Sequence, residues 1–148
     1  NEMLLGFQGR VNSWVVEAMI LGIENDCVFP AVDVVKTRRG YEILYIDRFY
    51  ELGRDNYGGH HRAVAHFRKG ENLRVKIHDK HLFKNEMWPR SLVDSFIYRP
   101  RIPIFDIHLV DNYCVSEQLE NALVGLPRDV AEKFCVEKNL DISRYLPQ

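Results

Sequence analysis

Three glycines constrain this chain more than any other feature. Gly58 and Gly59 stand side by side, Gly70 follows, and HHRAVAHFRK fills the interval. A break at a glycine pair, apolar residues at helical spacing and a second break predict a helix over His60–Lys69. Ala63, Val64 and Phe67 form its inward face, Ala65 raises its helix propensity, and Gly70 takes the C′ position. Beyond it, LRVKIHD alternates Leu73, Val75 and Ile77 with Arg74, Lys76 and His78, the pattern of a half-buried strand. Ahead of it, GRDNYGG is a loop by its turn chemistry. RRGYEILYIDRFYEL, before that loop, is β-prone and predicts two short strands or one bent strand ending near Leu52. The centre of the chain is therefore a strand–loop–helix–strand unit, with the glycine pair at the helix N-terminus.

The flanks supply the rest of the fold. Asn12 or Ser13 caps a first helix whose apolar face is Trp14, Val15, Ala18, Met19 and Leu21. CVFPAVDVV is β-branched and predicts a strand, at a sheet edge because Pro30 lies inside it. PRSLVDSFIYR predicts a short helix with Pro89 in its first turn, and PIFDIHLV a strand. Ser116 caps EQLENALVGL, and Pro127 opens RDVAEKFCVEKNL. The fold class is α+β (mixed α/β), a β-rich body followed by helices over 116–148. At 148 residues and 17.4 kDa it is one domain by length, residues 1–148, and 46% hydrophobic with 28% charged residues is a globular composition.

No apolar run approaches the roughly 18 residues of a membrane helix, so no membrane insertion is expected. The stretch MLLGFQGRVNSWVVEAMILGI is broken by Arg10, Asn12 and Glu17 and has no small-residue cleavage site, which argues against a signal peptide. Cys27, Cys114 and Cys135 are too scattered for a disulfide framework or a cysteine metal site. They read as core residues in a reducing cytoplasm. Net charge is −1 overall but unevenly spread: −4 over residues 1–35, +7 over 36–101 and −4 over 102–148. A basic middle between acidic ends fits an anionic partner, nucleotide phosphate or nucleic-acid backbone.

The turn itself carries the chemistry. A helix N-terminus presents N–H groups without acceptors and about half a positive charge. Gly58 and Gly59, lacking Cβ atoms, let a phosphate approach that backbone. Arg62 can fork onto phosphate oxygens, and His60 and His61 titrate near neutrality and can donate to phosphate or act as acid or base. The ordinary alternatives are a plain glycine turn and capping histidines. No Gly-Lys-Ser/Thr follows, so this is not a Walker loop.

Gly58-Gly59-His60-His61-Arg62-Ala63 leading into VAHFRKGENLRVKI resembles the signature of the ParB/sulfiredoxin superfamily, over about residues 27–79. The resemblance implies a ParB/sulfiredoxin-like core spanning about 27–110. It also implies that Gly58, Gly59, His60, His61 and Arg62 hold the phosphates of ATP or another nucleoside triphosphate. His60 stands where sulfiredoxins carry their catalytic cysteine, so sulfinic-acid reduction has no nucleophile here. Gly58 replaces an acidic residue of other branches; Glu51 and Asp55 are the acids expected to compensate by holding Mg²⁺ or polarising a water, with Asp33 and Asp47 as weaker choices. The implied function is a nucleotide-binding hydrolase, an ATPase with DNA-directed (DNase) activity, with catalysis by His60, His61, Arg62, Glu51 and Asp55. Chain size is similar to the plasmid fertility-inhibition and oncogenic-suppression branch, which implies blocking of conjugative DNA transfer. Two alternatives remain open: a nucleotide-switched DNA-binding module of ParB type, and a small-molecule kinase of the ParB-like serine kinase type.

Other residues admit weaker roles. His66, one turn after Arg62, can extend a cationic surface, and His78 and His81 can reach the same site. Arg99 and Arg101 beside Tyr98 and Phe105 fit nucleic-acid backbone and base stacking. Trp14 and Trp88 read as core or interface anchors.

Overall fold

Asn12 both ends a strand and starts a helix. Its side-chain oxygen accepts from the N–H groups of Trp14 and Val15 at 2.9 and 3.1 Å, satisfying two donors that a helix start leaves unmatched. The computed structural model describes residues 3–44, 59–78, 101–111 and 116–146. Helix α1, Ser13–Glu24, buries Val15, Val16, Ala18 and Met19 almost completely. Each large aliphatic among them contributes roughly 1.5–3 kcal/mol. Trp14 and Leu21 lie at the rim of this core, and the Lys138 ammonium stands 5.7 Å from the centre of the Trp14 ring.

Five strands form a mixed sheet: β1 Leu4–Gly6, β3 Val32–Thr37, β4 Gly40–Ile43, β5 Val75–His78 and β6 Ile102–Pro103, ordered β5-β3-β4-β1-β6. The pairings β3–β4 and β1–β6 are antiparallel, whereas β1–β4 and β3–β5 are parallel. Strands β2 (Arg10–Asn12) and β7 (His108–Val110) make a separate parallel pair. Alternation sends Val32, Val34 and Ile43 into the core beneath the helices, while Leu5, Val35 and Glu42 face the other way.

Helix α2, Gly59–Lys69, packs on α1 and carries Ala63, Val64 and Ala65 into the core. It ends as expected at Gly70, whose φ of 73° lets the chain reverse. The Glu71 N–H donates to the His66 carbonyl at 3.0 Å and the Gly70 N–H to that of Phe67 at 3.1 Å, the paired bonds of a glycine-closed helix. Helices α3 (Ser116–Val124), α4 (Arg128–Glu137) and α5 (Ile142–Tyr145) complete the same core through Leu119, Ala122, Leu123, Phe134, Cys135 and Tyr145. Among the described residues, no helix is long and apolar enough to cross a membrane.

Several expectations need correction. The residues from Cys27 to Ala31 are not strand, and β3 lies inside the sheet between β5 and β4. Pro30 precedes the ladder instead of interrupting it, so its missing N–H costs the sheet nothing. PIFDIHLV is not one strand: a 3₁₀ turn, Ile104–Asp106, separates β6 from β7. Phe67 is 56% exposed, as is Ile77, so neither faces the core. The β-strand alternation of β5 is real in register, yet the strand lies at a sheet edge and its apolar side chains stay in water. The predictions for 45–58 and 79–100, including the Pro89 helix, lie outside the described residues.

Candidate functional site at the start of helix α2

The first two turns of α2 have no exposed face. Every residue from Gly59 to Ala65 is buried, including His60, His61 and Arg62 at 5, 3 and 1% exposure. A helix end can be enclosed on all sides only where it plugs into the body of the fold, and here it meets the β1–α1 connection and the segment before β3.

Each buried polar side chain answers a main-chain group there. His60 Nε2 accepts from the Phe7 N–H at 3.0 Å, and His61 Nε2 accepts from the Asn12 N–H at 3.0 Å. Both acceptor nitrogens are therefore deprotonated, so these rings do not donate from Nε2 to a phosphate. Burial drives the His61 pKa from 6.5 down to about 4. The Phe7 ring meets His60 edge-on, with centroids 4.4 Å apart. Arg62, the largest fully buried side chain among the described residues, donates from Nη1 to the carbonyls of Pro30 and, at 3.1 Å, of Ala31. Its guanidinium fixes the chain just before β3.

His60 also dictates a residue on β1. A Cβ at Gly6 would lie 2.6 Å from His60 Cδ2 and 2.9 Å from its Nε2, inside contact distance. Gly6→Ala is expected to push the ring off the Phe7 N–H and cost about 1–3 kcal/mol by overpacking. A urea midpoint lowered at unchanged slope would register this, and an unchanged midpoint would contradict the contact.

Other candidate residues sit elsewhere. His66 donates from Nδ1 to the Arg62 carbonyl at 2.8 Å and stands edge-on to Phe29, so its one-turn spacing serves the helix backbone and not a cationic surface. Asp33 accepts from His78 Nε2 at 2.7 Å across the β3–β5 ladder, on the sheet face turned away from α2. Arg101 pairs with buried Glu42 on the same face as Asp33, and Phe105 packs on Phe67 with centroids 6.3 Å apart. Glu51, Asp55, Asp47, Gly58, His81, Trp88, Tyr98 and Arg99 lie outside the described residues. Among the described residues no group of three His, Cys, Asp or Glu is placed to hold a metal ion.

What α2 brings to its own N-terminus is thus main chain. The first N–H groups of the helix, from Gly59 to His61, precede any carbonyl of α2 that can accept from them. Compared with family models, curated proteins and solved structures, the chain matches none.

Sequence reasoning missed the partners of the turn: Gly6, Phe7, Asn12, Pro30 and Ala31. One signal was available. Ala63-Val64-Ala65 leaves α2 without a polar side at its start, so the residues just before them, though polar, share its buried surroundings.

Proposed function

We propose that the chain is a nucleotide-binding hydrolase in which the amides at the start of α2 seat the phosphates of a nucleoside triphosphate. The reading rests on the ParB/sulfiredoxin-like motif and on a helix start at Gly59 within it; His60, His61 and Arg62 themselves reach inward to main-chain partners. They act as scaffold, pinning the helix so that its positive end is held in place; because Gly59–Arg62 are buried, phosphates reach those amides only by displacing what covers them. Phosphate contact falls to the backbone from Gly58 to His61. Activation of water falls to a carboxylate, with Glu51 and Asp55 as the proposed pair and Mg²⁺ as the proposed ion. Action on DNA and a place in blocking conjugation belong to the same proposal through the motif's resemblance.

Thermal unfolding with ATP, ADP, CTP and GTP, each with and without Mg²⁺, tests this reading. A nucleotide at 100 times its dissociation constant is expected to stabilise the fold by about 2.7 kcal/mol. Adenosine, which has no phosphate, is expected to do nothing. Release of inorganic phosphate from the nucleotide that binds separates hydrolysis from mere binding. No shift with any nucleotide would reject the proposal.

A further inference from the structure

The turn between β3 and β4 is built from Arg38 and Arg39, two residues that turn geometry does not ask for. Tight turns draw on Gly, Asn, Asp, Ser and Pro for their backbone needs. Here Thr37 supplies the local fixing: its hydroxyl accepts from the Arg39 N–H at 3.2 Å and donates to the Gly40 carbonyl at 3.4 Å. Both arginine side chains are exposed.

Beside them lies a cleft of about 260 Å³ lined by Thr37, Arg38, Arg39, Glu42 and Arg101. Three arginines and one glutamate line it. That carboxylate, Glu42, is buried and ion-paired to Arg101. The lining therefore carries two positive charges beyond its internal pair. Like charges held together are costly, and an oxyanion relieves that cost while accepting paired N–H donors from each planar fork.

The cleft is separate from the α2 N-terminus. Glu42 points to the sheet face opposite Val34 and Ile43, which pack under the helices, and the turn is at the far end of β4 from the segment leading to α2. From the charge, the volume and the turn fixed by Thr37, we infer that this cleft is a second anion site, binding phosphate groups through Arg38 and Arg39. The volume suits a phosphate or pyrophosphate group, presented either by a free phosphorylated molecule or by a nucleic-acid backbone.

Two probes distinguish those sources: inorganic pyrophosphate by calorimetry, and a fluorescein-labelled single-stranded oligonucleotide by anisotropy across a salt series. The Arg38→Glu, Arg39→Glu double variant keeps the exposed turn, and circular dichroism and the urea midpoint verify its fold. Each lost charged contact is expected to weaken binding about tenfold. A backbone source predicts oligonucleotide binding whose log–log salt slope flattens by about 1.4 in the variant, at 0.7 per contact. A small-molecule source predicts pyrophosphate binding that the variant loses, with no oligonucleotide binding. Failure of both probes to bind the parent, or equal binding by parent and variant, would overturn the inference. ATP-induced stabilisation through α2 is expected to persist in the variant, so loss of the cleft and loss of the proposed nucleotide site are read separately.

Discussion

Arg62→Ala is expected to cost about 3–5 kcal/mol, a large share of the stability of a single domain. The substitution removes a large, fully buried side chain and leaves the carbonyls of Pro30 and Ala31 without this donor. A buried acceptor that loses its partner costs about 1–3 kcal/mol, and the cavity adds to it. Arg62→Met fills most of the volume but donates nothing, so an intermediate loss is expected. An arginine that faced solvent to grip phosphate would behave otherwise, with Arg62→Ala within about 0.5 kcal/mol of the parent. Urea unfolding of the two variants therefore decides between a scaffold arginine and a ligand-facing one.

Acid is expected to weaken the fold through His61. Its folded-state pKa is depressed by burial to about 4, from an ordinary 6.5. The unfolded chain therefore binds the extra proton first as pH falls. The stability held by the neutral ring is complete above about pH 6.5, declines between 6.5 and 4, and is gone below 4. A displacement of this size corresponds to about 3 kcal/mol. Other groups titrate in the same window, so the informative quantity is the gap between parent and His61→Gln. That gap, read from urea midpoints, should narrow by about 3 kcal/mol between pH 7 and pH 4. A gap independent of pH would mean that His61 is already solvated in the folded state.

Local features were legible and long-range ones were not. Asn12 announced its helix because a cap acts on N–H groups two and three residues away. Gly70 announced the end of α2 because a positive φ there is a property of one residue. By contrast, His60 and His61 serve amides 53 and 49 positions earlier. Nothing within a short window shows which distant N–H lacks an acceptor. The same limit misplaced Ile77: alternation reveals that a strand has two faces, but whether the apolar one is covered depends on the sheet position, and β5 lies at an edge. Pro30 misled in the opposite sense, because a proline ahead of a strand and one within it differ by only a residue or two.

The residue types at the turn mark it as special but do not reveal which way the side chains point. Histidine and arginine can both bind phosphate, so their types alone point to a ligand. In the fold they face inward because three stretches of main chain need partners where α2 enters the body. The proposed phosphate contacts are therefore assigned to the backbone, with the side chains as support.

The most direct test is an ATP titration followed by ¹⁵N-resolved NMR of the turn. Seating of phosphate on the backbone predicts saturable movement of the Gly59, His60 and His61 amide signals, with the His61 ring Nε2 still deprotonated and the Arg62 guanidinium signals essentially unmoved. Movement of the guanidinium and ring signals with still amides, or no response anywhere in the turn, would contradict it.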